Sequence, residues 1–224
     1  MGIDPRKRQK QLARKAAKRR AAVAVNQLAN RACDRLSDKQ QMEIALDSPI
    51  HECLVPAGLF CKGLGSVIIS RRMPRGRIGA GLFLVDTYCL GVKNAFFKTV
   101  TEWEYEWHVK DRGRNTGQGD FEHKDHAYAR KLIEDSVAYA ASLGIEPHRD
   151  YEFVKRIFAD IDPTSCSLSF EFGKDGKPFF IAGPNDTPVK CERILDALRE
   201  RLGQNAFHYL LPVTDPNEFL PPEF

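Results

Sequence analysis

The pattern of apolar and polar positions changes twice along the chain. Residues 5–46 are rich in Ala, Leu, Gln, Arg and Lys, which are good helix formers, and the apolar positions after residue 22 partly follow helical spacing. Residues 54–109 contain apolar runs and one alternating stretch, both typical of strands. Beyond residue 125, helical periodicity returns between short apolar runs. This order predicts an α+β fold, in which an N-terminal basic helical arm precedes a single mixed body of antiparallel hairpins and packed helices.

Two β features are predicted in the first half of the body. Apolar runs at 66–70 and 78–90 flank a polar turn with Pro74 and Gly76, which predicts a hairpin. Residues 101–109 alternate aromatic or apolar side chains with Glu or His, which favours a half-buried strand and leaves a helix as the alternative. We expect the aromatic positions of this segment to face the core, with a partner-binding face as the alternative.

Capping residues and turn signals organise the second half of the body. Asp125, Asp150 and Thr187 each precede a helical pattern, and Pro188 suits a first helical position. Asp175-Gly176 is a strong two-residue turn signal. The predicted elements are helices at 126–143, 151–161 and 188–202, a hairpin of strands at 167–172 and 177–181, and a last strand at 206–211.

Length and composition predict one body with two extensions. The chain has 224 residues, of which 42% are hydrophobic and 29% charged, as in ordinary globular proteins. We divide it into a basic helical arm (1–46), an α+β body (47–211) and a Pro-rich acidic tail (212–224). No run approaches the ~18 apolar residues of a membrane span, so no transmembrane segment is expected. Six scattered cysteines without a secretory signal are typical of reduced thiols, which predicts a cytoplasmic protein.

Positive charge is concentrated at the N-terminus. Residues 1–31 contain ten Lys or Arg and one acidic residue, whereas the rest of the chain contains 24 basic and 29 acidic residues. The arm therefore predicts an anionic partner, and phosphate-backbone contact with RNA or a ribonucleoprotein is our leading hypothesis. No aromatic residue interleaves the arm, so little sequence preference is expected. The predicted nucleic-acid-binding residues of the arm and hairpin tip are Arg6, Lys7, Arg8, Lys10, Arg14, Lys15, Lys18, Arg19, Arg20, Arg71, Arg72, Arg75 and Arg77.

Other functions would also suit a cationic arm. An acidic protein could accept it as a docking segment, and an acidic membrane surface would satisfy the same charge. The arm is Arg-rich and almost free of acidic residues, as mitochondrial targeting peptides are, but its scarcity of Ser argues against that function.

Two pairs of residues are the candidate catalytic groups. Asp86 interrupts an apolar run, and a buried carboxylate near Lys93 could act as a general base or a metal ligand. A structural ion pair, or a position on an exposed strand face, is the favoured interpretation. His123 and His126 border a polar loop that contains three glycines. These residues make a hydrolase-type enzyme the alternative to a non-catalytic binding protein, and the sequence alone does not decide between them.

The potential metal ligands are sparse. His51, Cys53 and Cys61 are weak candidates, because structural zinc sites usually combine two pairs of closely spaced ligands and only one such pair is present. His123-x-x-His126 is explained as well by solvated histidines at a helix start. We therefore predict no metal site. No dinucleotide-binding or phosphate-binding loop is recognisable either, so no cofactor is expected.

Overall fold

The computed structural model describes residues 36–110 and 120–212, together with Gln9, Arg14, Lys15, Ala17 and Lys18. Most of the predicted arm and nearly all of the predicted tail lie outside these residues. The five isolated positions are exposed. Within the described ranges the chain is a mixed α+β fold, as predicted. Helices and helical turns surround a five-stranded antiparallel sheet, and a small C-terminal unit follows.

The sheet has the strand order β4-β3-β2-β1-β5, and all neighbours are antiparallel. The predicted hairpin is confirmed: β2 and β3 pair continuously from Met73–Arg77 at the tip to Leu64–Asp86 at the base. Its turn needs positive φ at Arg75 (63°) and Gly76 (69°). The strands are β1 (Ile50–Pro56), β2 (Leu64–Met73), β3 (Arg77–Asp86), β4 (Gly91–Thr101) and β5 (Phe121–His123).

One face of the sheet is covered by helices. Helix α1 (Asp38–Leu46) begins at Ser37, whose hydroxyl accepts the Gln40 N–H while the Gln40 side chain accepts the Ser37 N–H. Because Ser37 has extended backbone angles, the predicted helix over 5–46 does not run unbroken through this point. Met42 and Ala45 of α1 are buried in the body, and Pro49 follows the end of the helix as predicted.

The long helix of this layer forms as predicted. It spans His126–Ser142, and the Asp125 carboxylate accepts the Ala127 N–H at its start. The predicted helix at 151–161 is shorter, because the α-helical turn Tyr151–Val154 tightens into a 3₁₀ turn, Lys155–Phe158, which ends where Ala159 adopts a positive φ of 45°. We number the helices α2 (Leu59–Lys62), α3 (Glu102–Glu104), α4 (His126–Ser142), α5 (Tyr151–Val154) and α6 (Pro188–Leu202).

The opposite face is covered by residues 101–110, where the predicted strand is wrong. Thr101 and Glu104 form a capping box that starts the helical turn α3, which continues as a π-helical turn, Tyr105–Lys110. Tyr105 and Val109, four residues apart, both pack on the sheet, as one face of a helical segment does. Trp103 and Trp107 are 62% and 59% exposed and are not core residues.

The C-terminal unit differs from the predicted hairpin. Around Asp175-Gly176 the described chain forms only a single bridge, Lys174–Lys177. Strand β6 (Phe179–Ile181) instead pairs in parallel with β7 (His208–Leu210), and α6 provides the crossover. The predicted limits of α6 are confirmed: the Thr187 hydroxyl accepts the Lys190 N–H, and Gly203 follows the last turn.

A second apolar cluster joins this unit to the sheet. Phe180 and the α6 residues Leu195 and Leu198 pack against Cys89 and Leu90 of the turn between β3 and β4. This turn therefore contacts both the sheet and the C-terminal unit, and it lies beside the cavity described below.

Candidate functional site

Two of the four arginines predicted for the hairpin tip are buried. Arg71 is 3% exposed and donates to three backbone carbonyls: Nε to Ile157, and the terminal nitrogens to Ser48 and Phe158. Arg77 is also buried, and one of its terminal nitrogens donates to the Thr99 carbonyl. The period of two explains this placement, because Arg71 lies on the same strand face as Ile69, and Arg77 on the same face as Phe83, which belong to the buried core. Both side chains are thus removed from the predicted cationic surface.

Arg72 and Arg75 remain on the surface of the hairpin. Arg72 donates to Nδ1 of His51 at 2.9 Å and lies 3.5 Å from a Glu102 carboxylate oxygen. Arg75 is exposed in the turn. The hairpin therefore presents two cations to solvent, and one of them is already paired.

Asp86 acts as the cap of a buried turn. It is 6% exposed, and its Oδ1 accepts the backbone N–H groups of Tyr88 and Cys89, each at 2.9 Å. Burial raises the pKa of Asp86 to about 6, against the opposing effect of these hydrogen bonds. A carboxylate held by its own turn is aimed at the backbone and not at a substrate.

Lys93 is paired with a residue that the sequence analysis did not single out. Its Nζ lies 2.5 Å from Oδ2 of Asp186, whose side chain is only 2% exposed. Lys190 binds the other oxygen at 2.7 Å, and the Gly183 N–H donates to Oδ2 at 2.8 Å. Burial alone would raise the pKa of Asp186, but these three donors outweigh it and hold the pKa at about 2. Lys93 is therefore paired with Asp186, whereas the Asp86 carboxylate accepts hydrogen bonds from its own turn.

The weak metal candidates are separated by a β-bulge. Pairing of β1 with β2 shifts register between Ile50 and Glu52, so His51 contacts the Tyr105 ring on one face of the sheet while Cys53 is buried in the core on the other face. Burial raises the pKa of the Cys53 thiol to about 12, which disfavours the thiolate that a metal requires. Cys61 is exposed on α2. These three residues share no site.

At this bulge, the side chains of His51 and Glu52 belong to one charged cluster. Lys110 Nζ lies 2.7 Å from Glu52 Oε1 and 2.9 Å from Glu106 Oε1, and His123 Nδ1 lies 3.3 Å from Glu52 Oε2. Burial lowers the pKa of His51 against the opposing effect of the Glu52 carboxylate, and the charges of Arg72 and Lys110 lower it further. Because Arg72 donates to Nδ1, the neutral ring carries its proton on Nε2.

Among the residues that the structure describes, His51, Glu52 and Glu106 form the one set whose ligand atoms lie within 4.8 Å of one another. A metal ion would compete there with the Lys110 ammonium, which already bridges both carboxylates. We interpret the cluster as an ion network that fixes the π-helical turn on β1. His126 lies outside this set, and its Nδ1 lies 3.6 Å from Oδ2 of Asp125.

A cavity of about 410 Å³ lies between β4, the loop at 144–148 and α6. Lys93, Lys190 and Arg193 line it together with Glu146 and His148, and the other lining residues are apolar or Gly144. Of these three cations, only Lys93 is a candidate residue predicted from the sequence. The residues contributed by α6 could have been found from helical spacing, because positions 190, 193, 194 and 197 lie on one face of that helix.

Comparison with protein-family models, with curated proteins and with solved structures finds no match to this chain. In the part of the chain that the structure describes, every helix is too short or too polar to cross a membrane.

Proposed function

We propose that this is a non-catalytic cytoplasmic protein that binds the phosphate backbone of RNA through its cationic N-terminal arm. One observation carries the proposal: ten of the 34 basic residues fall within the first 31 positions, where there is a single acidic residue, while the remainder of the chain is net acidic. Each neutralised phosphate releases counterions, so an arm of this density binds polyanions without base contacts.

The body supports this division of roles. Its buried arginines hold backbone carbonyls, and the acidic and basic groups of the Glu52 cluster neutralise one another. Arg14, Lys15 and Lys18 of the arm are exposed. Five cysteines in the described ranges are free thiols, in agreement with a reducing compartment.

Titration of the full-length protein with fluorescently labelled RNA over a salt series tests the proposal. We expect log K to fall with log salt, by about 0.7 for each single-stranded phosphate contacted. Replacing Arg14, Lys15, Lys18, Arg19 and Arg20 by Gln is expected to reduce this slope by about 3 and to weaken binding at least tenfold at low salt. Two RNAs of equal length and different sequence are expected to bind alike.

A matched control neutralises five cations of the body and leaves the arm intact. It replaces, also by Gln, the exposed residues Lys98, Arg149, Lys174, Lys177 and Arg201. The proposal is wrong if this control loses as much RNA affinity as the arm variant does. It is also wrong if the RNA affinity of the unaltered protein and of the arm variant does not change with salt. An acidic protein partner would instead be indicated by an intact fold with no RNA binding at low salt.

A further inference from the structure

The cavity beside α6 has a cationic part that is built around one buried carboxylate. Asp186 binds Lys93 and Lys190 through its two oxygens and so fixes both ammonium groups at the cavity wall. Each ammonium has three N–H donors and uses one on Asp186. The remaining donors are available to a ligand. Because the Lys93 side chain is 15% exposed, its position is set by the protein before any ligand arrives.

Arg193 adds a third cation to the same wall. It lies one helical turn after Lys190 and lines the cavity. Within the described residues, Arg193 forms no ion pair or hydrogen bond. Three cations thus line the wall beside the single buried carboxylate of Asp186, and the other acidic lining residue, Glu146, is exposed. The surplus of positive charge selects an anion.

The rest of the cavity is small and mostly apolar. Val92, Ile145, Ile194, Leu90 and Ala197 line it, and His148 is a further polar lining residue beside Glu146. Its volume of about 410 Å³ lies at the lower end of the ~300–1,000 Å³ of small-molecule sites. An apolar floor beside a fixed group of donors is the usual arrangement of such sites, where the polar groups orient the ligand.

We propose that this cavity binds a small organic anion, with its carboxylate, sulfonate or phosphate at Arg193 and Lys190 and an apolar body against Val92, Ile145 and Ile194. The site is separate from the arm and uses different residues. A polyanion is not the expected occupant, because a phosphate backbone would leave the apolar floor unused.

Fluorescence titration with anilinonaphthalene sulfonate, an aromatic sulfonate, tests the charge requirement in the full-length protein at pH 7.5. We expect saturable binding of one molecule. Arg193→Gln is expected to weaken it about tenfold through loss of a charge-assisted contact. Phenylnaphthylamine has the same rings without the sulfonate and is expected to bind more weakly. Its affinity is expected to be the same for the unaltered protein and for Arg193→Gln. Arg199→Gln, on the same helix but outside the cavity, is the matched control and is expected to bind both dyes normally.

A second variant locates the dye. Ala197→Phe places a ring in the cavity, so it is expected to exclude the sulfonate and the neutral dye alike, while an unchanged unfolding midpoint shows that the fold is retained. The proposal is overturned if no saturable binding is found, if Arg193→Gln binds the sulfonate as well as the unaltered protein does, or if a folded Ala197→Phe protein still binds it. Neutralising the arm leaves this binding unchanged, so the two proposals fail separately.

Discussion

At the scale of single residues, the buried carboxyl group of Asp86 stabilises a turn by accepting backbone hydrogen bonds. Its pKa of about 6, against an ordinary value of 3.8, means that the folded protein holds the proton more tightly than the unfolded chain does. Stability from this group is therefore fully present below pH 4 and is lost as the pH rises through 6. Two pKa units correspond to about 3 kcal/mol. The turn retains the acid because Oδ1 satisfies two buried N–H groups.

Replacing Asp86 by Asn separates the charge from the hydrogen bonds. The amide oxygen can still accept from Tyr88 and Cys89, and it carries no ionisation cost, so the free energy of unfolding at pH 7.5 is expected to be at least that of the unaltered protein. Asp86→Ala leaves both N–H groups without an acceptor and is expected to cost about 2 kcal/mol. Urea denaturation between pH 4 and 7.5 measures both effects as differences from the unaltered protein. Equal destabilisation by Asn and Ala would show that the turn needs the negative charge itself.

At the scale of elements, Arg71 links the hairpin to two other parts of the helical layer. Its guanidinium reaches the Ser48 carbonyl after α1 and the Ile157 and Phe158 carbonyls of the 3₁₀ turn. A planar group with five N–H donors can serve three carbonyls at once, which a single ammonium cannot do with the same geometry.

Arg71→Lys is therefore expected to destabilise the protein by about 2–4 kcal/mol, because at least one buried carbonyl loses its donor. Chemical denaturation provides the measurement. Arg75→Lys, in the exposed turn of the same hairpin, is the control and is expected to stay within about 0.5 kcal/mol of the unaltered protein. A similar small effect at both positions would mean that the buried guanidinium contributes little.

Elements with strong local signals could be predicted from the sequence. Helix α6 follows from Thr187 and Pro188, helix α4 from Asp125, and the hairpin of β2 and β3 from its turn residues. The apolar positions after Thr101 fit both the two-residue period of a strand and the spacing of a helix. The capping box of Thr101 and Glu104 favours the helix. The strand Phe179–Ile181 pairs with residues almost thirty positions away, which no local turn signal could show.

The candidate sites were harder to predict for the same reason. A one-residue bulge places His51 and Cys53 on opposite faces of the sheet, although an ideal strand would place them together. Asp186 meets Lys93 across ninety-three positions of sequence. Such pairs depend on how the C-terminal unit docks on the sheet, and that docking is a property of the tertiary structure.

At the scale of the whole molecule, the described chain has three apolar clusters, one of which lies beneath residues 101–110. Of the two remaining cores, the larger joins the sheet to the α4 and α5 layer. The smaller joins α6, β6 and Phe207 to the turn between β3 and β4 and to the end of α4. The cavity between β4 and α6 lies at the junction of the sheet and the C-terminal unit. Its shape therefore depends on the smaller core.

Phe180, fully buried in the smaller core, is the residue with which to test this dependence. Phe180→Ala leaves a cavity that is expected to cost about 3–5 kcal/mol, and the loss falls first on the C-terminal unit because units of this kind open separately. Hydrogen exchange is expected to accelerate in α6, β6 and β7, while the amides of β2 and β3 keep their protection. Uniform acceleration across the sheet would instead show that the two cores unfold as one, and the cavity would then be as rigid as the sheet beside it.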